Sequence, residues 1–178
     1  VTSRLDDSDP MVVAHAIKLT EEFATKGQFP SAEKIQSLAG HPDKFTRYQL
    51  ALTLGTAPYP GRDNALASLA QTDGDDKWIR AAIMNAAGRN PLALFNAIGD
   101  SSHAATVRFR EQLAESIGRQ KQKDAVKAVV DSALATSDKI SAYRYIRAVC
   151  DGLRRSGSSL HKLSLQQAIT GFVNEAAL

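Results

Sequence analysis

A single cysteine, Cys150, is all the thiol chemistry that these 178 residues contain. One cysteine excludes an internal disulfide and leaves the compartment open. Its apolar helical neighbours, Ile146, Val149 and Leu153, suit a buried structural thiol. Aromatic residues make up only 6% of the chain, with one Trp and six Phe, so large rings cannot fill a broad core. Abundant Ala and Leu favour thin apolar layers between helices instead. No run of about 18 apolar residues occurs, so no membrane insertion is expected. No basic-then-apolar leader opens the chain either, and its start at Val1 reads as a processed product or a segment of a larger protein.

Catalytic signatures are missing as well. There is no Gly-x-Ser-x-Gly, phosphate loop or dinucleotide fingerprint. Ser31 to Lys34 and Ser159 to Lys162 fit Ser-x-x-Lys, but no companion motif accompanies them. The histidines, His15, His41, His103 and His161, show no ligand spacing, so no zinc site is expected. Asp73-Gly74-Asp75-Asp76 lacks the remaining ligands of a calcium loop and reads as a solvated turn. These absences predict a non-enzymatic chain with no catalytic residue, metal or cofactor.

What is present is a period. Arg stands eight positions before Gly four times, as Arg47/Gly55, Arg80/Gly88, Arg110/Gly118 and Arg144/Gly152, with gaps between glycines of 33, 30 and 34 residues. A period of this size marks a structural unit stacked on its own copies. Between Arg and Gly the apolar residues lie on one helical face: Leu50, Ala51 and Leu54, then Ile83, Met84 and Ala87, then Leu113, Ala114 and Ile117. Gly is expected to stop each helix in the left-handed conformation. The last unit is slipped by one residue, and an opening unit before Gly27 lacks the Arg/Gly pair.

Second helices are expected over Ser31–Ala39, Asp63–Gln71, Pro91–Ile98, Asp124–Leu134 and Ser164–Ala177, each begun by a good cap type or by Asn90-Pro91. Pro58, Pro60 and Gly61 break the chain within a unit; Asp9-Pro10 and His41-Pro42-Asp43 break it between units. The tetratricopeptide and ankyrin signatures are absent. The recurring acidic or Pro-containing turn, apolar residue, Arg, small apolar helix and Gly resembles a short HEAT-like repeat, in units nearer 30–34 residues than the roughly 40–47 usual for HEAT. The resemblance implies an all-α, right-handed α-solenoid of about five short hairpins in a single repeat domain over 1–178.

A narrower resemblance lies in Arg47 to Gly55, in Trp78 to Ile83 and in Asp9 to Leu19. These stretches look like the HEAT region of large bacterial membrane-bound dehydrogenase proteins, which join a propeller domain, a HEAT region and a c-type haem domain. This resemblance implies a connecting solenoid in an exported or periplasmic polypeptide. The haem motif Cys-x-x-Cys-His is absent, so neither haem nor dehydrogenase chemistry is carried onto these residues.

The repeated Arg has a structural reading and a ligand-binding one. Asp43, Asp76 and Asp138 stand just before Arg47, Arg80 and Arg144, which suits a ladder of ion pairs; repetition in every unit favours structure. Phe45 and Trp78 recur at one register too, and are expected to pack between helices. Charge is uneven: residues 1–89 carry 10 basic and 11 acidic groups, residues 90–178 carry 12 and 8. Arg119, Lys121, Lys123, Lys127, Arg147, Arg154 and Arg155 form a candidate basic surface. It makes a nucleic-acid-binding solenoid the alternative, as in HEAT-like DNA glycosylases by analogy.

The leading reading is a scaffold that contacts a protein or a neighbouring domain. Its candidate docking end is the last helix, through Leu165, Ile169, Phe172 and Val173, because a terminal helix has only one face covered by its predecessor.

Overall fold

The computed structural model describes residues 2–88, 90–99, 104–167, 169 and 170. Among the described residues there are nine α-helices, one 3-10 turn (Thr2–Asp6) and no strand. The helices are α1 (Pro10–Ala24), α2 (Ala32–Ala39), α3 (Lys44–Thr53), α4 (Arg62–Asp73), α5 (Lys77–Ala87), α6 (Pro91–Ile98), α7 (Ala104–Gln120), α8 (Lys123–Ala135) and α9 (Lys139–Arg155). Where the sequence suggests one domain, these residues group into two compact units, 1–98 and 99–178. The division falls where Gly99, at φ 66, follows the end of α6.

Local sequence explains most helix starts. Asp9, Asp43, Asp76 and Asp138 cap α1, α3, α5 and α9, each carboxylate accepting a first-turn backbone N–H. Such a cap satisfies a donor that has no partner within the helix and stabilises it by about 1 kcal/mol. Ser31 caps α2, and the Asn90 side chain accepts from Ala93 N at 3.3 Å ahead of Pro91.

Three expected caps shift. Gly61, at φ 68, and Gln122 hold the cap positions of α4 and α8, while Asp63 and Asp124 fall in the first turn, where a carboxylate still favours the helix dipole. Ser164 adopts φ 58 in a turn, and helical backbone resumes at Gln166. Most of the expected last helix, including 171–177, lies outside the described residues.

In the first unit, α1, α3 and α5 lie side by side and point the same way. Their starts are joined by Thr46 Oγ1 donating to the Pro10 carbonyl (3.2 Å) and by the Lys44–Asp76 ion pair (2.7 Å). Toward their ends, Thr53 Oγ1 donates to Glu21 Oε1 (2.7 Å), and Gly55 lies against Ala86. The shorter helices α2, α4 and α6 form a second set, with Gln36 Nε2 donating to Ser68 Oγ (2.8 Å) and α4 packed on both neighbours. Leu50, Leu54 and Ile83 from the first set and Leu66, Leu69, Leu94 and Phe95 from the second are buried. Each such side chain contributes about 1.5–3 kcal/mol by leaving water.

In the second unit α7 and α9 also run in the same direction. Glu111 pairs with Arg144 and, further along, Glu115 pairs with Arg155. Helix α8 packs on both and buries Val126, Val129, Val130 and Ala133.

The repeated glycines have a different role from the one expected. Only Gly88, at φ 38, has positive φ; Gly118 and Gly152 lie inside α7 and α9. A Cβ on Gly118 would overlap the Val149 carbonyl oxygen and come within 3.0 Å of Leu153 N and 3.1 Å of Gly152 Cα. A Cβ on Gly152 would overlap the Glu115 carbonyl oxygen. These two glycines let two helix backbones touch. Gly55 does the same more loosely, with Ala86 Cα 3.3 Å from its virtual Cβ.

Candidate protein-docking surface

Each capping Asp places an apolar side chain two residues into its helix: Met11, Phe45, Trp78 and Ile140. All four are exposed, Trp78 by 64% and Phe45 by 47%. This overturns the expected interhelical packing of Phe45 and Trp78. The physical reason is position: a first-turn side chain at this register lies toward the open end of the helix layer. In the first unit Met11, Phe45 and Trp78 stand at the starts of three adjacent parallel helices and so form a row. Tyr48 follows Phe45 by one helical turn, its ring 6.5 Å from that of Phe45. Phe45, Tyr48, Trp78 and the buried Ile79 line a shallow hollow of about 700 Å³ with Asp43, Lys44 and Asp76. In the second unit Ile140 and Tyr143 repeat the Phe45/Tyr48 arrangement on α9, both exposed.

The charges around the row are fixed by the caps. Asp76 accepts from Trp78 N (2.8 Å) and Ile79 N (3.0 Å) and pairs with Lys44. Lys44, followed by the two N–H groups, brings its pKa down from 3.8 to about 2. Asp43 is also held below the ordinary carboxylate range, first by Thr46 N–H and then by the Thr46 hydroxyl.

A depressed folded-state pKa means that this stabilisation is complete above the ordinary value and lost as the pH falls from there through about 2. We therefore expect the urea midpoint of the Asp76→Asn variant to lie below that of the parent at pH 6, and the gap to narrow as the pH falls from about 4 through about 2. A gap independent of pH would mean that the carboxylate charge contributes nothing.

The Arg ladder is corrected in its partners. Asp43, Asp76 and Asp138 are caps, and each Arg finds a different acceptor. Arg47 grips Asp73, at the end of α4, through Nε (2.6 Å) and Nη2 (2.8 Å), and donates Nη1 to the carbonyls of His41 and Pro42. The Asp73 carboxylate raises the Arg47 pKa. Arg80 donates to the Gly74 carbonyl at 3.1 Å. Arg110, buried, donates to Ser132 Oγ (3.2 Å) and lies 4.7 Å from the Tyr145 ring centre. Arg144 grips Glu111 with two bonds of 2.7 Å, and this raises its pKa. One residue absent from the sequence reading, Arg62, binds the Leu54 carbonyl (2.7 Å), the Ala86 carbonyl and Asp63. It thereby donates to open carbonyls where α3 and α5 end.

The basic residues of the second unit are largely matched locally. Arg119 and Arg155 both pair with Glu115 at 2.6 Å, Lys127 with Asp131, and Arg147 and Arg154 with Asp151. Lys121 donates to the Ser156 carbonyl at 3.4 Å, and Lys123 is exposed at the start of α8. Of the expected docking end, Leu165 is buried and Ile169 half-buried, while Phe172 and Val173 lie outside the described residues. Cys150 is half-buried, and burial followed by nearby Asp151 pushes its thiol up.

Among the described residues no helix is long and apolar enough to cross a membrane, and no group of three or more His, Cys, Asp or Glu could hold a metal ion. Of the four histidines, His103 lies outside the described residues. Comparison with known proteins finds no matching family model, curated protein or solved structure.

Proposed function

We propose that this chain is a non-catalytic scaffold, a right-handed α-solenoid of short HEAT-like hairpins that binds a protein or a neighbouring domain. The observation that carries this reading is the row of Met11, Phe45 and Trp78, exposed at one register on three adjacent helices. Single exposed apolar residues are ordinary on a protein surface, whereas a contiguous patch marks a contact site. Large aromatic side chains are also the residues that most often anchor protein interfaces. The nucleic-acid alternative draws less support, because five of its seven basic candidates are engaged in ion pairs with Glu115, Asp131 or Asp151.

The test is a variant with Met11→Ser, Phe45→Ser and Trp78→Ser together. Its urea midpoint should stay within the range of surface changes, about 0.5 kcal/mol per site, while binding of a hydrophobic dye falls to a small fraction of the parent's. A loss of several kcal/mol would show that the row is part of the core and remove this reading.

A further inference from the structure

The hollow beside Phe45 holds more chemistry than an apolar patch requires. Three aromatic side chains, Phe45, Tyr48 and Trp78, line it together with two carboxylates, Asp43 and Asp76, and one ammonium, Lys44. Phe45 and Tyr48 have ring centres 6.5 Å apart and planes tilted by 47°. A cation set between two such rings lies within about 6 Å of both, the range in which a ring face attracts it. Trp78 already attracts one, since Lys77 Nζ rests 5.0 Å from its ring centre. Lys77 itself is not among the residues that line the hollow.

The two carboxylates differ in what they have left to offer. Asp76 is engaged through both oxygens: Oδ1 accepts from Trp78 N and Ile79 N, and Oδ2 pairs with Lys44, which is thereby neutralised. Asp43 Oδ1 accepts from Thr46 N (2.7 Å) and Thr46 Oγ1 (2.9 Å), whereas its Oδ2 accepts no bond among the described residues. The groups behind Asp43 do not reach that oxygen. Arg47 is held by Asp73, and His41 Nδ1 accepts from Asp43 N. The lining thus keeps one net negative charge, with an open carboxylate oxygen beside aromatic rings.

Building on the scaffold reading, we infer that this hollow receives an arginine side chain of the partner protein, its guanidinium against Phe45 and Tyr48 and one N–H donated to Asp43 Oδ2. A planar guanidinium stacks on rings and bonds a carboxylate at once. A quaternary ammonium would use the rings but has no N–H for Oδ2. A lysine ammonium has the donor but is the more strongly hydrated cation, and so loses more on leaving water. An acidic segment would meet the like charge of Asp43.

Trp78 is the only tryptophan and lines the hollow, so its emission reports on the site. The full chain at low ionic strength is titrated with an Arg-Gly repeat peptide, and with peptides carrying citrulline, Lys or Glu for Arg. The Arg peptide should change Trp78 emission and shield it from acrylamide. Citrulline keeps the shape of arginine without the charge, so its peptide should bind about tenfold more weakly or worse. The Lys peptide should fall between the two, and the Glu peptide should not bind. Asp43→Asn keeps a good helix cap and should weaken the Arg peptide about tenfold, as should Phe45→Ser. Lys77→Glu should tighten it. Equal binding of the citrulline peptide, or tighter binding of the Glu peptide, overturns the cationic occupant. A Lys peptide that binds as well as the Arg peptide overturns the choice of arginine, and unchanged binding by Asp43→Asn overturns the role of Oδ2. No response of Trp78 to the Arg peptide overturns the inference outright, and the scaffold reading is then judged by the dye experiment on the triple variant.

Discussion

Replacing Gly118 by Ala should destabilise the second unit by about 3 kcal/mol or more, and Gly152→Ala should match it. The sign is the informative part. For an ordinary glycine inside a helix, Ala is the better residue by about 0.5–1 kcal/mol. At the contact of α7 with α9 the added methyl instead meets backbone, since its position overlaps the Val149 or the Glu115 carbonyl oxygen. Backbone cannot rotate aside as a side chain can, so the two helices must part along their length. Core overpacking costs about 1–3 kcal/mol even where side chains give way. Gly55→Ala is the control: its nearest neighbours from another helix are 3.3 and 3.4 Å away, and its effect should stay within about 1 kcal/mol. Urea midpoints of the three variants measure this directly. Stabilisation by Gly118→Ala would mean that the helices do not touch there.

The second large effect concerns Arg47 and Asp73. Their side chains are 12% and 7% exposed, and two short bonds join them. Removing one partner of a buried ion pair strands the other charge, at a cost of about 3–5 kcal/mol. Asp73→Ala should therefore lower the stability of the first unit by about 3 kcal/mol, toward the smaller figure because Arg47 keeps its bonds to His41 and Pro42. The double variant Arg47→Met, Asp73→Leu should recover most of that loss, since an apolar pair of similar volume often replaces a buried ion pair without penalty. By contrast, Lys127→Ala, which breaks an exposed pair with Asp131, should change stability by less than about 1 kcal/mol. Chemical denaturation of the three variants checks the order. An Asp73→Ala midpoint equal to the parent's would show that the pair is solvated.

The sequence by itself determined the helical class and the bounds of the shorter helices to within one or two residues, because caps, prolines and apolar periodicity act over a few residues. Ser31, Asn90-Pro91 and the Pro58–Gly61 break all stand where the local chemistry puts them. The 30–34-residue period was legible too, but its meaning was not. A glycine can serve a positive φ or a close approach, and one chain read residue by residue does not separate the two; only the neighbouring helix distinguishes Gly88 from Gly118. The same holds for Arg47, whose partner Asp73 lies 26 residues away, beyond the three Asp caps that sit temptingly close. Phe45 and Trp78 hold the same register in successive units, and recurrence marks a position without saying whether another element covers it. Tertiary structure decided that it does not: in the first turns of α3 and α5 Thr46 and Ile79 point inward and are buried, while Phe45 and Trp78 beside them meet water.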